Sequence, residues 1–221
     1  MSAQDILEAV KAGDANRVQA LIEANPALAH ARDESGNSAI LLAVYYGRQE
    51  VVEALLARDV ELNIFEAAAV GNINRVAALT EDDPGRVNAF AHDGFTPLGL
   101  ASFFGRKDVV EYLLEQGAEV NATSHNRMKV MPLHSAVAHR HVGIAEVLLT
   151  HGANVNIAQQ DGFTPLHEAA QNGQEEMAAL LLAHGANVDA TKDDGQTPLA
   201  IARAEGHDVV ADLLRRHGAM E

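Results

Sequence analysis

The sequence predicts an all-α chain built as a solenoid of helix-turn-helix units, and three observations carry that prediction. The tetrapeptides Met131-Pro132-Leu133-His134, Thr164-Pro165-Leu166-His167 and Thr197-Pro198-Leu199-Ala200 begin at 131, 164 and 197, a constant step of 33 residues. A fixed period in this range marks a repeat architecture. Between successive tetrapeptides lie two short apolar-periodic segments parted by a glycine, clearest in DGFTPLHEAAQNGQEEMAALLLAHGANVDA from Asp161 to Ala190. Each segment offers about two to three helical turns, a length at which an isolated helix is marginal in water, so neighbouring units must complete the core.

Within that stretch each element has a local cause. Asp161-Gly162 is a turn; Thr164 supplies an N-cap and the ring of Pro165 presets φ for the first helical turn. Asn172-Gly173 interrupts the apolar pattern where the chain must reverse, and Gly185 stands where a helix C-terminus uses a left-handed residue. The tetrapeptide turn, the mid-unit glycine and the closing Gly185-Ala186-Asn187-Val188-Asp189 together resemble the ankyrin repeat of bacterial type, over nearly the whole chain. The resemblance implies a single domain, residues 1–221, with approximate repeats at 2–32, 33–62, 63–90, 91–123, 126–158, 159–191 and 192–219. It also implies β-hairpin-like fingers between repeats, missing in the first and the third.

Taken in order, Asp5-Ile6-Leu7-Glu8 has the form of a capping box with Asp5 as N-cap. The helix it opens ends near Gly13. A second, from about Asn16 to Glu23, turns Val18, Leu21 and Ile22 inward and stops at Asn25-Pro26. The next unit has Ser38-Ala39-Ile40-Leu41 in place of the tetrapeptide and Gly47 between its helices. Arg58-Asp59 replaces the His-Gly that closes later second helices, so weaker helix termination is expected there. Asn63-Ile64-Phe65-Glu66 is again a capping box, with no room for a finger before it. The chain start and this stretch align without gaps at a shift of 58 residues, Ile6 with Ile64, Gly13 with Gly71, Pro26 with Pro84 and Gly47-Arg48 with Gly105-Arg106. A duplicated two-repeat block is inferred, and a notch in the solenoid is expected near residue 64. The step from Thr96 to Met131 is 35, so two extra residues enlarge the finger within Ser124–Lys129, and Arg140 replaces the mid-repeat glycine. Arg215 stands where Leu114, Leu149 and Leu182 stand earlier, the charged face expected of a terminal repeat.

Composition narrows the function. Sixteen Lys and Arg against 31 Asp and Glu leave a net charge of −15, which repels a phosphate backbone, so no nucleic-acid partner is expected. Cysteine is absent, which removes disulfides, thiolate metal sites and thiol catalysis and fits a reducing compartment. No basic leader or long apolar run is present, so a cytoplasmic location without a membrane partner is expected. No nucleophile elbow or glycine-rich phosphate loop occurs, no cofactor is implied, and the expectation is a non-enzyme.

Six histidines gather in the middle repeats: His134, His139, His141, His151, His167 and His184. They lack the clustered spacing of a metal site. The resemblance gives His134 and His167 a hydrogen bond to neighbouring backbone, while His151 and His184 precede helix-ending glycines. His139 and His141 alone lack such a role and count as binding candidates. Tyr45-Tyr46 and Phe103-Phe104 precede the mid-repeat glycine in equivalent places of the duplicated blocks, and the resemblance puts them on the groove between fingers and first helices. Clustered exposed aromatics act as binding anchors. Phe95 and Phe163 are expected to pack. Arg127, Met128 and Lys129 form a basic finger on an acidic protein, extending the candidate surface. The expected function is a monomeric, non-catalytic module binding a protein with basic and apolar elements. The alternatives are a structural or engineered scaffold with no dedicated ligand and, third, a metal- or small-molecule-handling protein using the histidines.

Overall fold

The computed structural model describes residues 2–58 and 60–220. Helices pair along the chain: α1 (Ala3–Ala12) with α2 (Ala15–Ala24), α3 (Ala39–Tyr45) with α4 (Gln49–Leu56), α5 (Ile64–Val70) with α6 (Ile73–Asp82), and α7 (Pro97–Phe103) with α8 (Lys107–Glu115). The series continues with α9 (Pro132–Ala138) and α10 (Val142–Thr150), α11 (Pro165–Gln171) and α12 (Glu175–Ala183), and α13 (Pro198–Ala204) and α14 (Asp208–Arg216). Odd-numbered helices stack on one another as an inner layer and even-numbered helices as an outer one. The core between the layers is continuous, built from Ala, Leu, Val and Ile such as Ile6, Ile40, Leu55, Leu98, Leu133, Leu166 and Leu199.

Local chemistry explains the helix starts. Thr96, Thr164 and Thr197 cap α7, α11 and α13, each with proline in the first turn, and Ser38 caps α3. Met131 begins α9 without a side-chain cap, leaving proline to set the turn. Asn63 and Glu66 form the expected capping box; Glu66 is buried, yet its carboxylate accepts the Asn63 N–H at 3.0 Å and pairs with Arg32 at 3.3 Å. At the chain start the expectation shifts by one turn: Ser2 is the N-cap and Asp5 the N3 acid of the box, because Ser2 lies extended three residues earlier.

The fingers are turns closed by main-chain hydrogen bonds, from the N–H of Asp33, Ala91, Gln159 and Lys192 to the carbonyls of Asn37, Phe95, Phe163 and Gln196. Ser124 bonds Val130 instead, which places the two extra residues inside that finger. Among the described residues pairing is limited to an isolated antiparallel bridge between Arg32 and Ser38. Arg140 adopts φ 60°, the left-handed conformation of the glycine it replaces.

The region around residue 64 differs from the notch that was expected. Only residues 57–63 join α4 to α5, against 116–131 between α8 and α9. On the finger side the gap is closed, since the Tyr45 hydroxyl donates to Asp93 at 3.1 Å and the His92 ring packs against Gly36. On the other side the outer layer opens: α4 and α6 do not pack closely, and a surface cavity of about 370 Å³ lies between Leu56, Val60, Leu62 and Arg75. Arg75 spans it, with Nε donating to the Leu62 carbonyl at 2.9 Å and a terminal nitrogen 3.0 Å from Glu61. Helix α4 ends at Leu56 without a left-handed cap, and Arg58 pairs with Glu23; Asp59 lies outside the described residues.

Candidate functional site

Tyr45 ends α3 and Tyr46 caps it, while Phe103 ends α7 and Phe104 caps it. The intervening helix α5 carries Ala69 and Val70 before its Gly71. These short side chains let the Tyr45 ring reach over α5 to Phe104, edge-on at 5.0 Å between centroids, and to Phe103 at 6.0 Å. Phe103 touches Phe104 at 4.8 Å and the His139 ring at 3.9 Å, and Phe95 joins from the finger at 6.5 Å. Desolvation, then the charge and hydrogen bond of Asp93, push the Tyr45 hydroxyl pKa well above its ordinary value. Tyr45 therefore belongs as much to the fold as to the surface. Tyr46, 51% exposed, has no ring neighbour among the described residues.

Five of the six central histidines, His134, His139, His141, His151 and His167, bond backbone carbonyls. His134 and His167 are buried in their helix starts, and each donates through Nε2 to a carbonyl of the following finger, Phe163 and Gln196, at 3.2 Å. Desolvation lowers both pKa values, that of His134 to about 4. His139 and His141 were expected to lack structural roles, and both have one. His139 Nδ1 donates to the Ser135 carbonyl at 3.1 Å, and His141 Nε2 donates to the Phe103 carbonyl at 3.2 Å. Desolvation outweighs that bond and lowers the His141 pKa.

His141 belongs to a series that the sequence reading missed. The residue after most mid-repeat turns donates to the end of the preceding first helix: Arg48 to Lys11 at 3.1 Å, Arg106 to Ala69 at 2.8 Å, Gln174 to Val137 at 2.9 Å and His207 to Gln171 at 3.0 Å, whereas the shorter Asn72 caps its own helix by accepting the Arg75 N–H. A long donor directly after the turn glycine was the available signal. The close approach also explains Gly105 and Gly173, where an added Cβ would lie 2.8 Å and 2.6 Å from the rings of His141 and His207.

The long finger turns its two basic residues to one side and Met128 to the other. Ser124 Oγ accepts the Val130 N–H at 2.8 Å and Asn126 Oδ1 accepts the Met128 N–H at 3.1 Å, which holds the tip in shape. Arg127 and Lys129 face a cavity with Phe90 and His125, whose rings stack at 3.6 Å. Met128, 59% exposed, lines the opposite side.

That opposite side is a groove of about 730 Å³ between the three C-terminal fingers and α11. Phe163, expected to be packing only, lines it beneath Lys192, whose Nζ lies 5.6 Å from the ring centroid. Lys192 also contacts Asp194 at 3.1 Å and Gln196 at 3.0 Å. Asp161, Asp193 and Glu168 also line it, with Gln159, Gln160 and Gln171; burial raises the Glu168 pKa despite a 2.7 Å hydrogen bond from Asn172.

Among the described residues no three His, Asp or Glu side chains gather as metal ligands, and no helix is long and apolar enough to cross a membrane.

A two-layer stack of short helix pairs, joined by turn fingers and side-chain bonds to backbone, defines a helical repeat solenoid. The particular family follows from comparison with known proteins. The model for ankyrin repeats in three copies matches residues 64–159 and 133–220, and that for a single ankyrin repeat matches 35–67; the chain belongs to the ankyrin repeat family. It is 34% identical over 104 residues to ankyrin repeat and SAM domain-containing protein 6 of Rattus norvegicus, covering 46% of this chain and 11% of that protein. Over 77 residues it is 46% identical to serine/threonine-protein kinase VIK of Arabidopsis thaliana, covering 35% and 17% respectively. Over 133 residues it is 32% identical to neurogenic locus notch homolog protein 1 of Mus musculus, covering 55% and 5%. The chain thus spans a small part of these relatives' length. Ankyrin repeats are generally protein-protein interaction modules and typically non-catalytic.

Proposed function

We propose that this chain is a non-catalytic, monomeric, cytoplasmic adaptor whose protein partner lies along the groove between the fingers and the inner helices, anchored on Tyr46 and Phe104. The observation that carries this reading is the row Tyr45, Tyr46, Phe103 and Phe104, held on helix ends, with Tyr46 half exposed. Rigid aromatics contribute contact area at little entropic cost, which is why such residues dominate interface energetics. Tyr45 and Phe103 form the bed of the site, His139 extends it, and His141 supports it from the carbonyl of Phe103.

The test is the double substitution Tyr46→Ala with Phe104→Ala, leaving Tyr45 and Phe103 in place. Proteins captured from lysate by the parent chain are expected to be lost, with affinity for a purified partner falling by about 2–4 kcal/mol. Unchanged affinity in a folded double variant would exclude the aromatic row as the anchor. Capture of nothing above background by the parent chain would favour a scaffold without a dedicated ligand.

A further inference from the structure

The groove beneath the long finger lies apart from the aromatic row, and its chemistry selects a different kind of contact. We propose that it is a docking slot for an extended segment of the partner protein that presents an arginine beside an apolar residue. This rests on the protein-binding reading above and adds a second, chemically distinct subsite to it.

Four observations converge on that occupant. The groove, about 730 Å³, falls within the usual size of side-chain and ligand pockets. It already holds a cation over an aromatic face, since Lys192 Nζ stands above the Phe163 ring at 5.6 Å. The negative ring face that attracts this ammonium attracts a guanidinium as well, with the added option of stacking. Charge in the groove is unbalanced: Lys192 pairs with Asp194, whereas Asp161, Asp193 and Glu168 take part in no ion pair among the described residues. These carboxylates are not gathered closely enough to ligate a metal ion. A planar guanidinium, with donors pointing several ways, can satisfy carboxylates spread around a slot. Finally, Met128 is 59% exposed at the rim on a finger fixed by the hydrogen bonds of Asn126 and by the Gln160 N–H to its carbonyl at 3.3 Å. A flexible thioether on a rigid support suits an apolar neighbour of the arginine.

Lys192 is then an internal stand-in for the partner's arginine, and the two compete for Phe163. The competition gives a test that simple loss of folding cannot imitate. A fluorescein-labelled extended peptide with one arginine followed by leucine is titrated against the full chain and followed by anisotropy. The matched peptide carries citrulline, which keeps the shape and removes the charge. The arginine peptide is expected to bind at least roughly ten-fold more tightly than the citrulline peptide, with the difference shrinking as salt is raised. Asp161→Asn should weaken it several-fold, and Lys192→Met, which removes the competitor, should tighten it several-fold. Tyr46→Ala should leave this binding unchanged, so failure of the slot and failure of the aromatic anchor are read separately. Equal binding of the two peptides overturns the proposal. So does weaker arginine-peptide binding by Lys192→Met at an unaltered melting temperature, or preference for a glutamate peptide or Ca²⁺ over the arginine peptide.

Discussion

From Pro84 to Gly185 the outer edge of each repeat is stitched to the next by asparagine, and at the final joint Asp189 takes that place, its carboxylate accepting the Met220 N–H at 3.0 Å, whereas before Pro84 the comparable joints are ion pairs. Asn88, Asn121 and Asn156 donate to the carbonyls of Gly117, Gly152 and Gly185 at 3.1–3.2 Å. Their side-chain oxygens accept the N–H groups of Glu119, Asn154 and Asn187 at 2.7–2.9 Å. In the first block His30 occupies the place of Asn88, and the joints are Arg58 with Glu23, Arg32 with Glu66 and Arg75 with Glu61. The buried histidine locks are likewise confined to α9 and α11. Neutral bonds to backbone hold at any ionic strength, while partly exposed ion pairs are screened and individually weak. The C-terminal repeats should therefore be the more stable unit and the N-terminal block the part that salt loosens.

The comparison is broken most severely by His167→Ala. It removes the ring that accepts the Thr164 N–H and donates to Gln196, and it empties a fully buried position. A loss of about 2–4 kcal/mol in urea unfolding is expected, with amide exchange rising in the last repeat. A smaller effect comes from pH. The unfolded chain protonates His134 near pH 6.5, but the folded chain only near pH 4, so the unfolded state binds more protons between those values. Stability is full above pH 6.5 and declines as pH falls toward 4, by on the order of 2–3 kcal/mol from this group. A flat urea midpoint between pH 7 and 5 would mean that His134 is not kept neutral by the fold.

Two edge substitutions sharpen the contrast. Asn156→Ala loses both stitches to the next repeat and should cost about 1–2 kcal/mol, with the same cost in low and high salt. Arg58→Ala should cost less than about 0.5 kcal/mol at low ionic strength and nothing measurable in about 1 M NaCl. If the two substitutions showed the same salt dependence, the division into two kinds of joint would be wrong.

Helix positions were legible from the residues because their causes are local. Thr before Pro, a glycine at the reversal and a capping box at Asn63 act within a few residues, and helices α5, α7, α11 and α13 begin where those signals stand. The misplacement of the first cap at Asp5 was a local ambiguity, since Ser2 and Asp5 both suit an N-cap. The candidate surface was legible only in part. Equivalent positions suggested that Tyr45 and Phe104 share a face; nothing in the spacing showed that they touch across α5. His141 lacked an evident role because its acceptor, Phe103, belongs to the previous repeat.

What the sequence by itself determined is the repeat: its period, its helix pairs, its turns and the positions where it departs from regularity. These follow from backbone preferences and apolar periodicity, which are properties of neighbouring residues. Tertiary structure decided how the departures are used. The region around α5 closes under Tyr45 and opens at Arg75, the long finger divides its charges from Met128, and Phe163 becomes the floor of an acidic groove. Each depends on residues that stacking brings together from distant parts of the chain, which no pattern of neighbouring residues encodes.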